Sequence, residues 1–258
     1  MTGAWTVLKK DFGSHHRSWT GVLVLFAFLL ISGIFFTLFV LGYSQLSLEA
    51  SREAFQNVEG VSLTAFILGA FYLNIGILLL FLAPLLTMRS LAEEKRTGTL
   101  ELLFTYPLSD FEIVLGKYLS LVAGFTVLFL PTLAYAGVLV WLKVSLDGGI
   151  LAASAAGFLL LGASFLASGL FFSALTENQI LAAGLTFTFL LFFWVAEWLI
   201  GFLPGPWGQS LAALTPFVHF RDFSLGVVDF SDLIYFFCFI AFFIFLTMRV
   251  IESRNWKV

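Results

Sequence analysis

Charge is what this chain has least of. Only 11% of its 258 residues are Asp, Glu, Lys or Arg, whereas a soluble domain of that length carries about 25%. A water-exposed globule is therefore excluded. There is one cysteine, Cys238, inside an apolar run, which rules out an intramolecular disulfide and a multi-cysteine metal site. No G-x-x-x-x-G-K-[ST] phosphate loop occurs, so nucleotide hydrolysis by this chain alone is not expected. H-E-x-x-H and G-x-S-x-G are also missing. The pair Glu93-Glu94 with distant His219 could suggest an intramembrane metal protease, but Lys95 and Arg96 follow the pair directly and His219 falls on the opposite side of the expected topology. His15 and His16 are adjacent, and adjacent residues on a helix do not share a face. Basic residues form no nucleic-acid patch. No catalytic residue, metal site or cofactor is expected in this chain, and it is not expected to be an enzyme by itself.

What the chain has in abundance is apolar length. Hydrophobic residues make up 60%, with 33 Phe, which read as lipid-facing and packing surface. A membrane span needs roughly 20 predominantly apolar residues. Six segments qualify: 20–42, 61–88, 110–142, 150–175, 180–200 and 232–251. The expected fold is a single all-α transmembrane domain over 1–258. Residues 1–19 mix Trp5, Val7, Leu8 and Phe12 with Lys9, Lys10 and Asp11, the pattern of an amphipathic helix at the membrane surface. Asn74, in the second span, reads as an interhelical hydrogen bond, and Pro131 as a break tolerated within the third. The fourth run is rich in Gly, Ala and Ser, which lets helix backbones approach closely.

Two interruptions point towards function. Arg89 to Glu112, reading RSLAEEKRTGTLELLFTYPLSDFE, is the densest charge in the chain. Gly98 suits the left-handed position that ends a helix. Thr99 can cap a short helix from Leu100 to Thr105, and Pro107 stops it. Ser109 and Glu112 form a capping box, with Leu108 and Ile113 as its hydrophobic staple. The second interruption runs from Gly201 to Ser231. Its prolines break a straight span, yet Trp207, Leu211, Leu214, Phe217, Phe220 and Phe223 need shelter from water. Short re-entrant helices forming an outer lid are expected there, with Glu197 close by, amid Trp194 and Trp198, at the outer interface or facing the bundle.

Six spans place both termini on one side. Ten of the cations (Lys9, Lys10, Arg17, Arg89, Lys95, Arg96, Lys117, Arg249, Arg254, Lys257) fall at the termini or the second loop, and only Arg52, Lys143 and Arg221 fall opposite. The positive-inside rule makes the termini and the Arg89–Glu112 stretch cytoplasmic. Charge is absent from the centres of the spans, which argues against an ion-coupled secondary transporter.

Six spans, a surface helix before the first, and EEKRTGTLELLFTYPLSDFEIVLGKY after the second resemble the ABC-2 type transporter permeases. The resemblance is greatest to the gliding-motility (GldF-like) subgroup, with the nitrous-oxide-reductase maturation (NosY-like) permeases as relatives. It covers nearly the whole chain and rests most on Glu93, Glu94, Gly98, Thr99, Glu101, Leu102, Leu103, Pro107 and Gly116-Lys117, and on HFRDFSLGVVDFSD before the last span. It implies a multi-pass protein of the bacterial cytoplasmic (inner) membrane, the permease of an ATP-driven exporter. A separate ABC ATPase subunit, carrying ATP and Mg, would dock on a coupling helix within 90–107. Partner-binding residues would then be Glu93, Glu94, Gly98, Thr99, Leu100, Glu101, Leu102 and Leu103, with Glu177 and Asn178 of the fourth–fifth loop making a smaller contact. A second permease, identical or related with an outer domain, would complete the path. The other reading is a non-transporting membrane anchor or mechanical scaffold of a motility or maturation complex.

Overall fold

The computed structural model describes residues 2–16, 19–52, 65–99, 109–143, 146–203 and 205–255. Among them there is helix and no strand. An N-terminal helix α1 (Thr2–His16) precedes α2 (Trp19–Arg52). A π-helical turn (Ala65–Gly69) leads into α3 (Ala70–Thr87), followed by the single-turn helix α4 (Ala92–Arg96). The third span is α5 (Asp110–Phe129) and α6 (Leu133–Trp141), joined by a 3₁₀ turn. Then come α7 (Gly148–Leu175), α8 (Gln179–Ile200), two short helices α9 (Pro206–Leu214) and α10 (Pro216–Ser224), and α11 (Phe230–Asn255). Six helical segments are long and apolar enough to cross a membrane.

The breaks fall where the side chains cap. Ser109 is extended (ψ 150°), accepts from the Glu112 amide, and its own amide donates to Glu112 Oε2, a complete capping box. Leu108 of the expected staple lies outside the described residues. Asp147 Oδ1 accepts from Gly149 N and Ile150 N at the head of α7. Asn178 does the same for α8, through Ile180 N and Leu181 N. At Pro131 the missing amide tightens one turn to 3₁₀ geometry, and Thr132 Oγ1 donates to Phe129 O at 2.7 Å. The helix then resumes, as expected of a proline sheltered by neighbours.

Helix α2 runs past residue 42, the expected end of the first span, and continues to Arg52, because nothing between Tyr43 and Arg52 is a proline or glycine and the i→i−4 ladder has no reason to stop. Asn74 also differs. Its Nδ2 donates to Ala70 O of its own helix at 2.8 Å rather than across to another.

Helix α7 is the centre of the bundle and touches α3, α5, α8, α10 and α11. Its small residues explain how: a Cβ on Gly162 would run into the Phe125 ring, and one on Gly169 into Thr87. Some of its hydroxyls donate to the carbonyls one turn back, as Ser154 and Ser164 do, and Ser154 also reaches Ser224 O of α10 at 3.2 Å. Phenylalanine fills the remaining volume: Phe158 stacks on Phe129 with centroids 5.4 Å apart, and Phe165 meets Phe217 edge-on at 5.5 Å. Much of the Phe is therefore core, as well as outer surface.

The lid expectation divides between the two short helices. On α10, Phe217, Phe220 and Phe223 are buried at 3%, 0% and 1% exposure, inserted among α3, α7 and α11. On α9, Trp207 and Leu214 are exposed, so the chain itself does not give them the shelter expected. The reason is register. Residues 217, 220 and 223 repeat every three positions and make one helix face, whereas on α9 Trp207 and Leu214 lie away from the bundle and Leu211 is half-buried.

Candidate functional site

The charged stretch opens at the end of α3. Leu91 begins α4 with no side chain of its own able to cap it. The cap comes from across the bundle: Ser173 Oγ, in the last turn of α7, accepts from Leu91 N at 3.1 Å and Ala92 N at 3.0 Å. One turn later the buried Lys95 donates its ammonium to the Ala174 carbonyl. Carbonyls in a helix's last turn lack intrahelical donors and carry partial negative charge, so a cation there is stabilising. The Leu91–Arg96 segment is thus held to the end of α7 by three hydrogen bonds, in each of which it donates and α7 accepts.

A second set of contacts centres on Lys117, about two turns into α5 and 1% exposed. Its Nζ lies 3.1 Å from Asp11 Oδ2 of α1 and 2.8 Å from Glu94 Oε2 of α4. The same ammonium donates to Ser90 O at 3.0 Å. A buried ammonium is tolerated only when paired and hydrogen-bonded, and here three elements supply the partners. Beside it α1 lies directly on α5. Gly116 makes that approach possible, since a Cβ there would stand 2.7 Å from Ala4 O and 2.9 Å from Val7 Cβ. Ala4 and Val7 are buried in this contact while Trp5 is exposed. One side of α1 faces protein and Trp5 lies on the other.

Of the partner-binding residues expected from sequence, Glu93 is half-buried and its carbonyl accepts from Thr97 Oγ1 at 2.9 Å. Glu94 spends its carboxylate internally on Lys117. Gly98 has φ +69°, the left-handed turn expected of it, and its amide donates to Lys95 O. Thr99 is exposed, its hydroxyl 2.9 Å from that of Thr97. Leu100, Glu101, Leu102 and Leu103 lie outside the described residues. Glu177 and Asn178 are exposed at the same end, Asn178 serving also as the cap of α8. The roles of Asp11, Lys95, Ser173 and Lys117 are not legible in the sequence pattern. The only trace is Lys117 itself, a cation placed within the helix that becomes a span.

At the opposite end, Glu197 is not a lone interfacial acid. Arg221 of α10 donates to it at 2.6 Å, and the carboxylate side chain is 17% exposed. With Asn74, Trp194, Trp198 and Phe217 this pair lines a cleft of about 410 Å³ between α3, α8 and α10. His219 Nδ1 lies 2.6 Å from Asp232 Oδ1 of α11, its ring stacks on Tyr235 at 3.9 Å, and the Tyr235 hydroxyl donates to Leu214 O at 2.7 Å. α10 is therefore joined by polar contacts to two spans, α8 and α11. Among the described residues no three His, Cys, Asp or Glu side chains converge as metal ligands.

A family model described as "ABC-2 family transporter protein" matches residues 5–251. A comparison with the curated proteins finds no match.

Proposed function

The chain belongs to the ABC-2 transporter family, and from that premise we propose that it is a permease whose work is driven from the Arg89–Glu112 stretch by a separate ATPase subunit. The family makes it a multi-pass membrane permease. The finer reading is that the ATPase docks on the segment within 90–107, that the termini and this segment are cytoplasmic, and that the membrane is the bacterial inner membrane. A second permease completes the path, and by motif the chain resembles the gliding-motility (GldF-like) subgroup.

The observation that carries the reading is the junction at Lys117. Nine residues, 100–108, separate Thr99 from Ser109. The chain on both sides of them is fixed to the same body: α4 to α7 through Ser173 and Lys95, α4 and α1 to α5 through Lys117. A load applied to the segment reaches three elements at once, the N-terminal helix and the third and fourth spans. Coupling of this kind requires that nucleotide-bound and nucleotide-free states of the partner differ in their contacts with the segment.

The test is co-purification with the cognate ATPase, followed by nucleotide hydrolysis and transport in reconstituted membranes. Glu101→Lys and Leu102→Asp should each weaken assembly, since an unpaired charge left in an interface costs about 2–5 kcal/mol. The isolated chain should hydrolyse no ATP. Full assembly and full transport by both variants would remove the docking role from this segment. Assembly without transport of any substrate would favour the mechanical-scaffold reading.

A further inference from the structure

The first span is attached to the bundle unevenly along its length. Its middle is well held: Phe36 stacks on Tyr135 of α6 at 4.8 Å and meets Phe71 of α3 edge-on, and the Ser32 hydroxyl lies 3.2 Å from that of Tyr135. Its beginning stands away. Between Gly21–Leu25 and the facing ends of α3 and α5 runs a groove of about 660 Å³, within the size range of ligand sites. Leu25 of α2, Leu86 of α3, and Leu121 and Leu128 of α5 make apolar walls. Leu23 and Leu85, also in the lining, are 68% and 46% exposed, so the groove opens sideways, where the bilayer lies.

The mouth of the groove is charged. Asp11, Lys117 and Glu94 are there but engaged with one another. Lys10, Arg89 and Glu93 line the same mouth, and none of these three side chains has an ion-pair partner among the described residues. The groove thus offers an apolar trough of span-like composition ending in two free cations and one free carboxylate. The six charges of the lining sum to zero, which disfavours an anionic guest over one carrying both signs.

We propose that this groove is a binding site for a zwitterionic phospholipid with a primary-amine headgroup. One acyl chain lies against α2, α3 and α5. The phosphate faces Lys10 and Arg89, and the ammonium donates to Glu93. A charged, N–H-bearing headgroup makes stronger hydrogen bonds to a carboxylate than a quaternary ammonium, which has no N–H to give. The site is bordered by the Lys117 junction, so its occupant props the start of the first span against the elements held there. The inference concerns lipid and this chain alone and stands or falls independently of ATPase docking.

The experiment is native mass spectrometry of the detergent-purified full chain, titrated with phosphatidylethanolamine, phosphatidylglycerol and phosphatidylcholine of identical acyl chains. Phosphatidylethanolamine should be retained over phosphatidylcholine by roughly threefold, the net worth of one modest hydrogen bond. Glu93→Gln should remove that preference. Lys10→Gln with Arg89→Gln should lower retention of all three lipids, as should Gly124→Trp, which fills the groove. Lys143→Gln, at the far end, should change nothing. Equal retention of the three lipids, a preference for phosphatidylglycerol, or wild-type retention by Gly124→Trp would each overturn the site. Loss of bound lipid when the chain dimerises would assign the groove to a second copy and overturn it likewise.

Discussion

Replacing Lys117 by methionine keeps most of the side-chain volume and removes the charge. The ammonium sits 3.1 and 2.8 Å from two carboxylates. Each attraction is worth about 5 kcal/mol gross at an effective dielectric of 20, largely offset by the cost of burying three charges. The loss on substitution is governed by what remains. Asp11 and Glu94 would face each other without the cation, their side chains only 19% and 18% exposed. Breaking a fully buried pair from one side costs about 3–5 kcal/mol. The residual water access here lowers that to about 2–4. The contact most easily given up is α1, which packs on α5 with Ala4 and Val7 against Gly116. A loss of that size would shift its docking equilibrium by roughly 30- to 700-fold. Hydrogen exchange reads this directly: amides of residues 2–16 should lose protection in Lys117→Met while those of α7 keep theirs. Adding Asp11→Asn and Glu94→Gln to the same chain should restore much of the protection, because the two carboxylate charges that Lys117 faced are then removed with it. Unchanged protection in Lys117→Met, or no recovery in the triple variant, would show that α1 is held by apolar contact alone and refute the electrostatic account.

Gly116→Leu attacks the same interface sterically and should release α1 at a cost of about 1–3 kcal/mol, with the Lys117 pairs lost as a consequence, again visible as exchange in residues 2–16. At the opposite end, Phe220→Ala should lower thermal stability far more than Arg221→Ala: a fully buried ring is worth about 3–5 kcal/mol, whereas an ion pair whose Arg is 57% exposed is worth about 0–1. Two melting curves in one detergent decide this, and equal losses would mean that α10 is held by its charge pair. With Cys238 first changed to serine, cysteines at Phe217 and Phe220 should react slowly with a small maleimide in detergent, and cysteines at Trp207 and Lys143 quickly. Fast reaction at Phe217 and Phe220 would place α10 outside the bundle.

The spans, their order and most of their ends were determined by the sequence itself, because burial in lipid is a matter of composition and length. Runs without charge had to cross, and Ser109, Asp147 and Asn178 stop or start helices through groups within three residues of themselves. Gly98 adopts its left-handed turn for equally local reasons. Even the buried face of α10 is written in the three-residue spacing of its phenylalanines. What the tertiary structure alone decided is which charges meet. Asp11 and Lys117 are 106 positions apart, Lys95 and Ala174 are 79 apart, and Glu197 and Arg221 are 24 apart. No periodicity links such pairs. A charge near the end of a span looks the same in the chain whether it faces water or another helix. Helix packing brings the ends of α1, α4, α5 and α7 together, and only then does the low-dielectric space between them force every buried charge there to find a partner.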